Sequence, residues 1–171
     1  MLNWFKRKKA DPVAVRRWRD AITAMAREPE PYLRGWIPDT IYGRFHMVAL
    51  SATLAMRRFR EAGGDGKILS KAFAEMLFSD FDHSLRENGV GDSSIARRIR
   101  KMGEEFYGLA SAVDEALEQG GADKHLAQVI QRNIQPDAEK ALALANYVLD
   151  LNHRVERIPS VSILAGPDEV S

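Results

Sequence analysis

Between residues 41 and 59 the chain sets Ile41, Phe45, Val48, Ala52, Ala55 and Phe59 in alternating steps of four and three. That spacing returns apolar side chains to one face of an α-helix at every turn, and a strand, whose faces alternate at every second residue, cannot satisfy it. Met47, Leu50 and Leu54 give the same stretch a second apolar face. A helix that is apolar on two sides must be surrounded, so this one is expected at the centre of a bundle. No other segment shows sustained strand alternation, and most repeat the helical period. The expected fold class is all-α, a single helical domain of about six helices.

Punctuation along the chain divides the rest. Asp11 followed by Pro12 reads as a cap and first turn, opening a helix that runs to about Arg27. That helix stops before the proline-bearing segment "EPEPYLRGWIP", in which no helix is expected. The central helix should start near Asp39 or Thr40 and continue to Glu61, where "GGDG" at 63–66 ends it as a flexible connection. A helix from about Ile68 to Glu87 follows, with Phe73, Leu77, Phe81 and Leu85 on one face. After the glycine turn "NGVGD", Asp92, Ser93 or Ser94 is expected to cap a helix reaching Gln119. A short helix spans about Asp123 to Asn133, and Pro136 and Asp137 open the last one, which ends near Arg157. The tail "IPSVSILAGPDEVS" has no period and is expected to be loosely held. The chain thus divides into a flexible basic segment at 1–10, a helical domain at 11–157 and an irregular C-terminal tail at 158–171. At 171 residues it is long enough to bury a real core without staples.

Composition removes several function classes. With no cysteine, disulfides, thiolate nucleophiles and cysteine-ligated zinc are all excluded. The longest apolar runs, "ALALANYVL" and "FHMVALSATLAM", fall short of the ~18 residues a membrane span needs. The N-terminus lacks the apolar core of a secretory signal, so the chain reads as soluble and unexported. Charge is uneven: residues 1–60 hold 13 Lys and Arg against 5 Asp and Glu, and the remainder holds 12 against 19. A basic arm on an acidic body points to an anionic partner near the N-terminus. Trp4 and Phe5 precede Lys6, Arg7, Lys8 and Lys9, and "RRWR" at 16–19 repeats the mixture. Such a segment suits peripheral contact with an anionic membrane, or stacking and charge neutralisation on RNA. A frayed, solvated terminus is the bland alternative.

Apparent catalytic features are weak. "GGDGK" has the wrong glycine spacing for a phosphate loop, and Ile68 stands where Ser or Thr should follow the lysine. Asp80 with His83, and Asp150 with His153, sit at i, i+3 like half of a di-metal carboxylate site, with Glu75, Glu104, Glu105 and Glu115 as nominal further ligands. Those sites use Glu-x-x-His, and the pairs here fall on polar helix faces, so they read as solvated. His46, on a mostly apolar helix, reads as a hydrogen-bonded core histidine. No serine lies in a nucleophile-type turn.

The stretch "FYGLASAVDEAL", residues 106–117, carries two stripes. Phe106, Ala110, Val113 and Leu117 have the spacing of a buried face, and Tyr107, Ser111, Asp114 and Glu118 follow one position later. The second stripe is either the polar border of a binding surface or a set of bonds to a neighbouring helix. Gly103 and Gly108 in the same helix weaken its propensity and are expected to let a neighbour approach closely.

Read in order, "YGRFHMVALSATLAMRRFREAG", "LSKAFAEMLFSDFDHSLRENGVGD", "IARRIRKMGEEFYGLASAVDEAL" and "QRN" at 131–133 resemble the ubiquinol–cytochrome c chaperone family. The matching positions are Phe45, Leu50, Phe78, Asp80, Phe81, Leu85, Gly89, Gly91, Asp92, Phe106, Gly108, Asp114, Arg132 and Asn133. The sequence departs at Leu109, where the family commonly has arginine, and at Val113, where it commonly has tyrosine. The resemblance implies a non-enzymatic assembly factor for the cytochrome bc1 complex, which holds newly made apo-cytochrome b and has no cofactor of its own. It implies a bacterial cytoplasmic location peripheral to the inner membrane, or the matrix side in a mitochondrion. A ribosome or nascent chain would be a further partner of the basic arm, and DNA is not expected. A holder of an apolar client needs apolar contacts with a polar rim. Phe78, Phe81, Tyr107, Ser111 and Asp114 are the candidate client-binding residues. The rival readings are an RNA- or ribosome-associated binding protein using the basic arm, and a di-metal helical-bundle enzyme.

Overall fold

The computed structural model describes residues 8–135 and 137–168. Trp4, Phe5, Lys6, Arg7 and Pro136 therefore lie outside the described residues. Seven α-helices are present among them: α1 Pro12–Ala26, α2 Glu30–Leu33, α3 Ile41–Phe59, α4 Gly63–Glu87, α5 Asp92–Glu118, α6 Ala122–Asn133 and α7 Ala138–Glu156. Two 3-10 turns, Arg60–Ala62 and Ser160–Ser162, complete the regular structure, and no strand occurs among the described residues. The chain is all-helical.

Local chemistry sets the helix starts. The Asp11 carboxylate accepts the Val13 amide at 2.9 Å, satisfying one of the donors that a first turn leaves unpaired. Thr40 Oγ1 does the same for Gly43 at 3.1 Å, and Asp137 for Lys140 at 3.0 Å. At α5 the cap position is Gly91, and no side chain caps the helix, so Asp92 stands inside the helix instead of capping it.

α3 is the central helix, packed against α1, α4, α5 and α7. Both of its apolar stripes are used: Phe45, Ala52, Ala55 and Phe59 are buried on one, and Met47, Leu50 and Leu54 on the other. The core continues through Trp18 and Ile22 of α1, Phe73 and Leu77 of α4, Phe106 and Val113 of α5, and Leu144, Val148 and Leu151 of α7.

Three expectations are corrected. "GGDG" is not a flexible linker but a tight corner. Gly63 has φ +61, and α4 begins there, a turn and a half before Ile68. A Cβ at Gly66 would lie 1.7 Å from the Phe59 carbonyl oxygen, so the chain can fold back at this point only with glycine. The proline segment also holds structure. α2 forms within it, the Trp36 amide returns to the Pro31 carbonyl at 2.9 Å, and Tyr32 donates its hydroxyl to Ala26 O at 2.7 Å.

The third correction is the tail. Ile158 and Ile163 are buried, and the Trp18 indole N–H donates to Ile163 O at 2.8 Å. Gly166, at φ +78, passes so close to α1 that a Cβ would meet the Arg17 Cβ at 2.6 Å. The missing periodicity of residues 158–168 reflects a strap of turns seated on α1, where contacts rather than helical pattern hold the chain. Among the described residues, no helix is long and apolar enough to cross a membrane.

Candidate functional site: a groove between α1, α3 and α4

α1, the N-terminal half of α3 and the C-terminal half of α4 diverge to leave an open groove of about 930 Å³. Phe45 and Val48 of α3, Leu77, Phe81 and Leu85 of α4, and Met102 of α5 give it an apolar lining. Its rim is charged: Arg19 and Asp20 come from α1 and Arg27 from its C-cap, Asp39 and Arg44 from the α3 end, and Asp80, His83 and Glu87 from α4. Arg19 approaches Asp80 at 3.6 Å and so ties the two long walls together. Arg44 lies over the Tyr32 ring at 5.4 Å and donates to Asp39 at 2.7 Å. Burial pushes the Tyr32 phenol above its ordinary value, so it enters the groove neutral.

From the lining a ladder of rings leads outward. Phe45 meets Phe81 edge-on at 5.3 Å, Phe81 meets Phe78 at 5.6 Å, and Phe78 meets Phe106 at 5.4 Å and stacks on Tyr107 at 6.3 Å. Tyr42 and His46 lean on Phe45 at 6.4 and 5.4 Å. Such ring contacts fix each other's orientation. The ladder ends at two exposed rings, Tyr42 and Tyr107, with 42% and 53% of their surface open.

The five candidate client-binding residues therefore separate. Phe81 lines the groove, and Phe78 joins it to Tyr107, which is exposed as its position predicts. Ser111 is exposed one turn further along α5. Asp114 is occupied: its carboxylate bonds both Arg57 and Arg60, the latter through two contacts of 2.6 Å. It clamps the end of α3 to α5. Of the two readings left open for the polar stripe, the neighbouring-helix reading describes Asp114, and an accessible surface describes Tyr107 and Ser111.

Other expectations sort similarly. Gly108 does not receive a neighbour, since a Cβ there would meet nothing within 4 Å, and at Gly103 it would make ordinary contact with Phe78 at 3.9 Å. Leu109 and Val113, the two departures from the family pattern, are buried in the core and do not reach a client surface. His46 packs on rings instead of sitting in a hydrogen-bonded core site, and burial lowers its pKa below 6.5. His83 is exposed and faces Glu87 at 3.2 Å. Among the described residues, no three His, Cys, Asp or Glu side chains converge to hold a metal ion. In the basic arm, Lys8 pairs with Asp65 at 2.6 Å and Lys9 is exposed.

Sequence reasoning missed the α1 wall of the groove, because Arg19, Thr23 and Arg27 look like an ordinary solvated face until α4 stands opposite. One clue was in hand: Phe45, Asp80, Phe81 and Leu85, four of the positions that carry the family resemblance, all line the groove.

Residues 35–169 match the family described as Ubiquinol-cytochrome C chaperone. Among solved structures, the chain is similar to the crystal structure of the Cbp3 homolog from Brucella abortus. The two share 32% identity with a TM-score of 0.79, over 92% of this chain and 88% of that one. No curated protein is significantly similar in sequence. A family match over most of the length, together with a close fold match at this identity, leads to one conclusion: the chain belongs to the ubiquinol-cytochrome C chaperone family.

Proposed function

We propose that this chaperone binds newly made apo-cytochrome b and seats an apolar helical segment of it in the groove between α1, α3 and α4. It acts as a non-enzymatic holder during assembly of the cytochrome bc1 complex, at the cytoplasmic face of a bacterial membrane or its mitochondrial counterpart. The observation that carries the reading is the groove itself, with its apolar lining, charged rim and ring ladder to Tyr107.

The physical case is one of matching. A membrane protein awaiting insertion exposes apolar surface, and covering it is strongly favourable in water. A helix about 10 Å across fills 930 Å³ with roughly two turns, enough to bury one apolar face at i, i+4 and i+7. The charged rim keeps the empty groove hydrated and soluble. Tyr107, rigid on Phe78, extends the contact beyond the groove as an aromatic anchor.

The test is complementation of a deletion strain. Ser84→Trp places an indole in the groove without removing a core side chain, and Tyr107→Ala shortens the ladder's exposed end. Ser84→Trp should lower haem-loaded cytochrome b and bc1 complex strongly while an unrelated respiratory complex stays at its normal level. Tyr107→Ala should lower both less, since truncating an anchor costs about 2 kcal/mol. Circular dichroism must show both variants folded. Normal cytochrome b levels with a folded Ser84→Trp protein would refute the groove as the client site.

A further inference from the structure

Many surface cations on this fold are matched: Arg44 has Asp39, Arg86 has Asp82 and Asp92, Arg57 and Arg60 share Asp114, and Arg154 has Glu28. Others, such as Arg16, Lys67, Lys124 and Lys140, stand singly with no ion pair among the described residues. The start of α5 is where such cations cluster. Arg97, Arg98, Arg100 and Lys101 are all exposed, and the first three have no ion pair among the described residues. Lys101 has only a loose approach to Glu105 at 3.8 Å. Residues 92–101 hold four cations and one acid, whereas residues 102–118 hold five acids and no cation. The helix dipole favours an acid in the first turn, where Asp92 stands, and cations in the last, and the four cations stand in neither. Helix stability therefore does not explain the cluster.

We propose that this face of α5 is a contact surface for anionic lipid head groups. Arg97, Arg100 and Lys101 stand at i, i+3 and i+4 and so share one side of the helix, a flat array suited to a planar sheet of phosphates. Nucleic-acid surfaces of this size interleave cations with rings that stack on bases. Residues 92–101 contain no ring, and of the next two, Phe106 is buried in the core and Tyr107 is already stacked on Phe78. Arg98 lies one turn from Met102, which lines the groove where α4 ends at Leu85 and Asn88. The array thus flanks one end of the groove and would hold that end against the bilayer. It is separate from the described end of the basic arm, Lys8 and Lys9. Lys8 is tied to the first turn of α4 through Asp65, and the helix from Asp65 to Glu87 places the end of α4 that leads into α5 about 33 Å away. The use of the surface in client delivery rests on the groove reading, but vesicle binding does not.

The experiment is cosedimentation of the full chain with vesicles of phosphatidylglycerol mixed with phosphatidylcholine, against pure phosphatidylcholine. The parent should bind only the anionic vesicles, and less as salt rises. Arg97→Gln, Arg98→Gln and Arg100→Gln together should weaken the partition about a hundredfold, near fivefold for each cation. Glutamine is a good helix former, so the triple variant should keep the parental circular dichroism. The matching Arg→Lys triple variant should bind like the parent. Ser84→Trp should also bind like the parent, which separates failure of this surface from failure of the groove. Parental binding by the glutamine variant, complete loss on removing residues 1–7 alone, or binding to poly(U) RNA with none to vesicles would each overturn the proposal.

Discussion

Adding a single Cβ has opposite consequences at two glycines that look equivalent on paper. At Gly66 the new atom would sit 1.7 Å from the Phe59 carbonyl oxygen, part of a backbone corner that cannot shift without opening α3 from α4. Gly66→Ala should therefore cost about 3 kcal/mol or more, at the upper end of overpacking penalties. At Gly108 nothing lies within 4 Å, and Gly108→Ala should stabilise α5 by about 1 kcal/mol through backbone entropy alone. Urea unfolding of both variants checks the pair, and the signs must differ. His46 gives a residue-scale pH test. Burial among Tyr42 and Phe45 lowers its pKa below 6.5, with Glu105 opposing the shift. Below pH 6.5 the unfolded chain takes up a proton at this ring that the folded chain resists. Stability must therefore fall as pH drops from 6.5 towards the folded value, and the contribution is level above it. His46→Phe should flatten that part of the stability–pH curve.

At the scale of elements, the tail is the informative case. Ile158 and Ile163 bury their side chains, and burial of an aliphatic side chain of this size is worth about 1.5–3 kcal/mol. Ending the chain after Arg157 should lower the unfolding free energy by about 3–6 kcal/mol and leave the Trp18 indole N–H without its protein acceptor. Chemical denaturation followed by tryptophan fluorescence reads both effects. The helices themselves were largely legible, because α3, α5 and α7 are long and strongly periodic, and period is what one sequence shows best. Their corners were less so. Gly63 and Gly66 looked like a linker because the positive φ of the one and the Phe59 carbonyl that crowds the other exist only in the folded corner. The strap at 158–168 has no period to read, since it is held by side chains 145 residues away in sequence. The polar stripe on α5 was visible as a pattern, but whether Asp114 faced water or Arg57 and Arg60 depended on how α3 and α5 cross.

For the molecule as a whole, the groove illustrates what periodicity cannot supply. Phe81 and Leu85 were correctly placed on an apolar face, yet an apolar face alone does not distinguish packed core from an open lining. That distinction comes from where α1 stands, and α1 is held by the central helix on one side and by the C-terminal strap on the other. Trp18 sits edge-on to Phe59 at 4.9 Å on one side and bonds Ile163 on the other. The order of synthesis acquires a meaning from this. α3, α4 and α5 can associate early, but the wall carrying Arg19, Thr23 and Arg27 cannot be locked until residue 163 has been made and has travelled back to the first helix. Closing so long a loop is among the slower events of folding. The groove is therefore finished last, and a chain that has not yet reached residue 163 carries it with one wall unfastened.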